Sequence, residues 1–160
     1  MKFFPFHKFQ LECNNSTDAF LEKLSQETDK KNIFRNGNSS KKFKGEIDLI
    51  QNKFKINRIL NYRNSFYPII FGKVVSEGDK TSKIEIQMRM TIYAIVFMIV
   101  WSIITGIFTS LALKEQLSNT NFDYEPVLTS FCFFAFGYVL MIVCFNYEVR
   151  QAKKILKDLV

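Results

Sequence analysis

Few residues in this sequence could do chemistry, and their spacing excludes most kinds. His7 is the only imidazole. One chain therefore cannot assemble a His-based triad or a multi-His metal site. Phe71-Gly72-Lys73 lacks the upstream glycine and the following hydroxyl of a phosphate-cradling loop. Cys13, Cys132 and Cys144 form an odd set, two of them in apolar stretches. Such a set in reducing or lipid surroundings stays as thiols rather than a disulfide framework. Asp and Glu occur singly, without the spacing of an acid–base pair. No catalytic residue, metal or cofactor is expected, and the chain reads as a non-enzyme.

What remains is surface recognition. Lys41, Lys42 and Lys44 cluster ahead of a run of alternating residues, and Tyr62, Arg63, Phe66 and Tyr67 fall within one short connection ending at Pro68. Arg89, Lys153 and Lys154 complete the set. Tyr, Phe and Arg settle readily at a membrane–water interface. Each base beside anionic lipid contributes roughly 1 kcal/mol. The same rim could instead hold a specific partner, or fold under the sheet as an ordinary loop. The bases do not form a nucleic-acid signature, because much of their charge is balanced locally.

The elements that must position this rim come in two kinds. The chain has 160 residues, 22 Lys+Arg against 15 Asp+Glu, and a formal charge of +7. Its mean hydropathy of −0.01 hides two different halves. Most of the charge lies before residue 91, while Thr91–Leu113 and Pro126–Tyr147 carry none. As a helix, Thr91–Leu113 would be about 34 Å long, enough to cross a hydrocarbon core of ~30 Å. Two such helices cannot both be covered by a soluble chain of this length, so two transmembrane helices are expected. Pro126 suits a first helical position.

Bases flank the outer ends of this pair: Lys83 and Arg89 before it, then Arg150, Lys153, Lys154 and Lys157 after it. The connecting loop 114–125 has one base against three acids. By the positive-inside rule both termini are cytoplasmic, the protein is multi-pass in an inner membrane, and that loop is extracytoplasmic. No signal peptide is expected in MKFFPFHKFQ, which is broken by Pro5 and two charges. Ser102, Gly106 and Ser110 recur every fourth residue, beside Thr105 and Thr109, with Gly137 mid-span on the second helix. Small residues at this spacing let helix backbones approach closely. Packing within the helical hairpin, a homo-oligomer seam and a polar pore lining all remain open.

Residues 1–90 read as a cytoplasmic α+β domain. From Phe43 the period is two: Phe43, Gly45, Ile47; then Phe54, Ile56; then Ile70, Gly72, Val74; then Ile84, Ile86, Met88, Met90. This predicts an antiparallel β-meander with one apolar face. A turn at Glu77–Lys80 joins the last two strands, and residues 32–40 form a loop. Phe9, Leu11 and Cys13 suggest a further strand. Asn15-Ser16-Thr17 caps one covering helix over Thr17–Lys31, with Phe20, Leu21 and Leu24 on its inner stripe. The tail 148–160 carries Val149, Ala152, Leu156 and Leu159 against basic residues, a short amphipathic helix running on from the second span. It either lies on the inner leaflet or docks on the sheet. Strand alternation then brings Met90, Pro68, Leu60 and Phe43 to one level.

Phe43 and Gly45, Tyr62-Arg63-Asn64-Ser65-Phe66, Pro68, Gly72 and the following uncharged span resemble small uncharacterised bacterial membrane proteins over about residues 40–115. The resemblance implies a bacterial inner-membrane protein and transfers no activity. The expected function is a membrane-anchored, non-catalytic binding module that presents a cytoplasmic β-sheet domain at the anionic inner leaflet. The alternative is an oligomerising two-span effector that perturbs the bilayer or forms a pore. Self-association or a membrane-protein partner fits either, and nucleic acid fits neither.

Overall fold

The computed structural model describes residues 4–14, 16–30, 41–76, 81–118 and 124–160. The chain forms two compact units, one from residues 1–91 with 144–160 and one from residues 92–143. Asn15, the loop at 32–40, the turn at Glu77–Lys80 and residues 119–123 of the connecting loop lie outside the described residues.

The first unit is α+β. Strands β1 (Phe6–Cys13), β2 (Thr28–Lys30), β3 (Phe43–Asp48), β4 (Lys53–Arg58), β5 (Pro68–Ser76) and β6 (Ser82–Met90) form one sheet in the order β1-β6-β5-β4-β3-β2. Pairing is antiparallel from β3 through β6, the run that strand alternation predicts, and β1 adds antiparallel to β6, a pairing the sequence pattern does not give. The expectation of a purely antiparallel meander is corrected at β2, which pairs parallel with β3. Its residues were expected in the helix. Helix α1 (Thr17–Gln26) instead ends where the Thr28 hydroxyl donates to the Leu24 carbonyl at 2.6 Å. The Glu27 carbonyl then accepts from the amides of Lys42 and Phe43, which seats the helix end on β3. Such local side-chain bonds compete with helix continuation.

Alternation sorts the sheet into two faces. Phe43, Phe54, Ile56, Ile70, Val74, Ile84, Ile86, Met88 and Met90 are buried on one of them. Two glycines there serve close packing. A Cβ on Gly45 would collide with the backbone of Lys55 and Ile56, and one on Gly72 would fall inside the Phe54 ring. Phe54 lies directly opposite Gly72 in the ladder, so the ring crosses the bare backbone. Helix α1 covers part of this face with Phe20, Leu21 and Leu24, each fully buried. Burying side chains of this size is worth about 1.5–3 kcal/mol apiece. The Ser16 hydroxyl caps the helix by accepting from the Ala19 amide.

The remaining cover comes from the far end of the chain. Helix α3 (Glu125–Leu159) is one element of 35 residues, so the tail is not a separate short helix. No Gly or Pro follows Gly137, and nothing in the sequence breaks it. Within the sheet unit its residues Phe145, Val149, Ala152 and Leu156 are buried. The Lys153 ammonium sits 4.6 Å from the Phe9 ring centre on β1. The tail therefore docks on the sheet.

The second unit comprises α2 (Ile92–Ser118) and the first part of α3. Both helices are long and apolar enough to cross a membrane. Helix α2 continues five residues past the uncharged stretch, through Lys114 to Ser118.

Candidate functional site

The register brings the strand ends that border the expected rim to one end of the sheet. Pro68 pairs with Met90, Ile69 with Arg89 and with Asn57, and Phe43 with Arg58. The connection from β4 to β5 lies at this same end. Two residues beyond Met90 the chain starts α2.

The rim does not act as a single patch. Lys41 donates to the Thr28 carbonyl at 3.0 Å, and Lys42 pairs with Glu27 at 3.3 Å, so both serve the corner between α1 and β3. Lys44 is half-buried and Arg63 exposed. Phe66 and Tyr67 are half-buried within the connection. Arg89 lies on the opposite, solvated face, its guanidinium over the rings of Phe6 and Phe71 at 6.0 and 5.6 Å. Lys153 is drawn to Phe9, whereas Lys154 is exposed.

The tightest cluster at this end centres on a residue outside that set. Glu148 is 1% exposed on the docked part of α3. Its Oε2 lies 3.1 Å from Nη2 of Arg58, whose side chain is 16% exposed. Its Oε1 accepts from the Tyr62 hydroxyl and, at 3.2 Å, from the Asn64 amide. Arg58 also donates to the Tyr62 hydroxyl at 2.8 Å and covers its ring at 5.9 Å. Asn64 is oriented in turn by accepting from the Phe66 amide at 2.9 Å. Burying a carboxylate this deeply is costly unless it is paired and hydrogen-bonded. The Tyr62 pKa is pushed up to about 12, first by desolvation and then by its bond to Glu148, with Arg58 opposing. Tyr62 is therefore a fixed proton donor at ordinary pH.

The constellation clamps α3 to the end of β4 and the connection that follows. Glu148 does carry a signal in the sequence. It lies three residues after Phe145 and four before Ala152, on the stripe that also carries Val149 and Leu156, so an acid sits among apolar positions. Arg58 and Asn64 carry no comparable signal.

In the helical unit, Trp101 forms the central contact. It stacks with Phe97 and Phe133 at 6.3 and 5.7 Å, and a Cβ on Gly137 would strike its indole. Thr105 is buried, Ser102 and Thr109 are half-buried, and Ser110 is exposed. A Cβ on Gly106 would meet nothing within 4 Å, so this glycine does not serve helix pairing inside the chain. The hydroxyls of Ser102, Thr105, Thr109 and Ser110 donate to carbonyls of their own helix.

Among the described residues no group of His, Cys, Asp and Glu could hold a metal ion. Compared with known protein families, curated proteins and solved structures, the chain matches none.

Proposed function

We propose that the chain is a two-span, membrane-anchored, non-catalytic binding module of a bacterial inner membrane, with both termini cytoplasmic and its sheet unit seated at the anionic leaflet. One observation carries this reading. The polypeptide leaves the sheet unit at Met90 and rejoins it at Cys144, and Glu148 is bonded to Arg58 and Tyr62 at the Met90 end. Departure and return therefore lie at one end of the sheet, and the stretch between them holds the two membrane-length apolar helices. Anchoring by two neighbouring spans needs that arrangement. Lys44 and Arg63 would then face lipid headgroups, each contributing roughly 1 kcal/mol.

Charge reversal at these two residues tests the seating. In anionic nanodiscs the variant is expected to exchange its amides several-fold faster over residues 61–67, with no change in neutral nanodiscs. Added salt should shrink the difference, because the Debye length at physiological ionic strength is ~8 Å. Equal exchange in both lipids would remove the seating. Single cysteines at Ser118 and Lys157, in a background without the native thiols, test the topology. Labelling from outside is expected at position 118 only.

The rival reading, an oligomerising effector, draws on Gly106, which is left outside intrachain packing. Dye leakage from vesicles carrying the protein would favour it over the module.

A further inference from the structure

The solvated face of the sheet carries a feature that neither the anchor nor the Glu148 clamp uses. Its side chains form rows across the strands: Glu46, Lys55, Phe71, Gln87 and Lys8 in one, Asp48, Lys53, Lys73, Glu85 and Gln10 in the next. Over these rows lies an open trough of about 900 Å³. It occupies the part of the sheet towards the β3–β4 turn, away from the Met90 end.

Four ammonium groups line it, on Lys8, Lys53, Lys55 and Lys73. The register sets Lys55 opposite Glu46, Lys53 opposite Asp48 and Lys73 opposite Glu85. Yet among the described residues none of these four lysines forms an ion pair with a carboxylate. Of the three carboxylates that line the trough, on Glu46, Asp48 and Glu85, two are turned to other work. Asp48 accepts from the amides of Ile50 and Gln51, closing the turn, and Glu85 accepts from Gln10. The Lys55 ammonium lies 5.6 Å over the Phe71 ring, and Lys53 donates to Gln51. The four charges thus remain unneutralised by contact with a carboxylate. At the lip, the turn presents Leu49 and Ile50, which are 61% and 96% exposed. Two such side chains are costly to leave in water without a partner.

We propose that this trough docks an extended polypeptide segment that alternates acidic and apolar side chains, the acids meeting the four lysines and an apolar residue covering Leu49 and Ile50. Charge complementarity selects an acidic occupant, and the lip makes its apolar side chains matter. Length and openness suit a peptide better than an enclosed small molecule. The inference rests on the binding-module reading and names its partner class, but it does not use the residues assigned to lipid seating.

The test uses the full chain in neutral nanodiscs and a short fluorescent peptide alternating glutamate and leucine, read by anisotropy against empty nanodiscs. Saturable binding is expected, weakened about tenfold or more by Lys53→Glu with Lys73→Glu. Leu49→Ser with Ile50→Ser should weaken it by about tenfold as well. All four positions are exposed, and unchanged amide exchange over β4–β6 verifies the fold. A peptide with lysine for glutamate should not bind. Absence of binding overturns the proposal, as does indifference to the lysine reversals. Equal binding of a glutamate–serine peptide would reduce the trough to unspecific charge attraction and also overturn it. So would displacement of the peptide by anionic vesicles, which would make lipid the occupant. Loss of peptide docking with the exchange response at residues 61–67 intact would leave the membrane seating standing.

Discussion

Helix α3 contributes to both units and meets different surroundings in each. In its first part, Phe131, Phe133, Phe136, Val139 and Val143 are exposed, and only 11% of its apolar window is buried. In its last part, Phe145, Val149, Ala152 and Leu156 are buried while Arg150, Lys154 and Lys157 face outward. The change falls within a few residues around Cys144. The first part is apolar all round, which suits a lipid solvent; the second has a stripe, which suits a protein partner on one side and water on the other. Glu148 marks the second part most sharply. A charge on the stripe would be ruinous in hydrocarbon, and here it holds three polar partners instead.

Removing that charge is the strongest way to break the contrast. Glu148→Ala leaves Arg58 buried beside Tyr62 without its carboxylate, and loss of one partner of a buried pair costs about 3–5 kcal/mol. Because Arg58 keeps some exposure, the lower end is expected. Thermal unfolding and amide exchange over residues 144–160 would register it. The double variant Arg58→Leu with Glu148→Leu removes both charges and should recover much of the loss. If Glu148→Ala leaves the docked segment as protected as in wild type, the clamp is decorative.

The sheet and the apolar helices were legible in the sequence because each imposes its own period on many residues. Four runs between Phe43 and Met90 alternate at two, so the strands and the shared level of Pro68 and Met90 follow from counting. The parallel strand β2 has only three residues, too few to show a period, and its pairing depends on backbone groups from Lys42 onward. Glu148 needed knowledge of Tyr62, 86 positions away. The sequence places Lys41 and Lys42 in the lipid or partner rim, yet the corner formed by Glu27 and Thr28 takes both. Local pattern does not carry such tertiary pairing.

A moderate effect sharpens the other side of the comparison. Gly137→Leu would drive a branched side chain into the Trp101 indole, and overpacking of this kind costs about 1–3 kcal/mol. Gly106→Leu enters open space and should leave the intrachain pair intact. Trp101 fluorescence distinguishes them, since a displaced indole shifts its emission and an untouched one does not. Equal shifts from both substitutions would mean that Trp101 does not pack on Gly137. A change in oligomer size with Gly106→Leu alone would assign that face to a second copy.

The smallest expected effect concerns the proton on Tyr62. Tyr62→Phe removes one donor from Glu148 but leaves Arg58 and Asn64, so a loss of about 1 kcal/mol is expected. The pH dependence carries more information than the magnitude. Folding raises the Tyr62 pKa from 10.0 to about 12, so the native state holds this proton more tightly than the unfolded chain does. Its stabilising contribution is complete below pH 10 and declines as pH climbs toward 12. Half the residue's surface is open to water, which softens the decline without changing its direction. The difference in stability between wild type and Tyr62→Phe should therefore stay level through neutral pH and narrow in the alkaline range. A difference that widened with rising pH would mean that the hydroxyl ionises beside Glu148, with Arg58 rather than burial governing its proton. The donor role of Tyr62 in holding α3 against the sheet would then be lost, and Asn64 and Arg58 would have to hold the carboxylate by themselves.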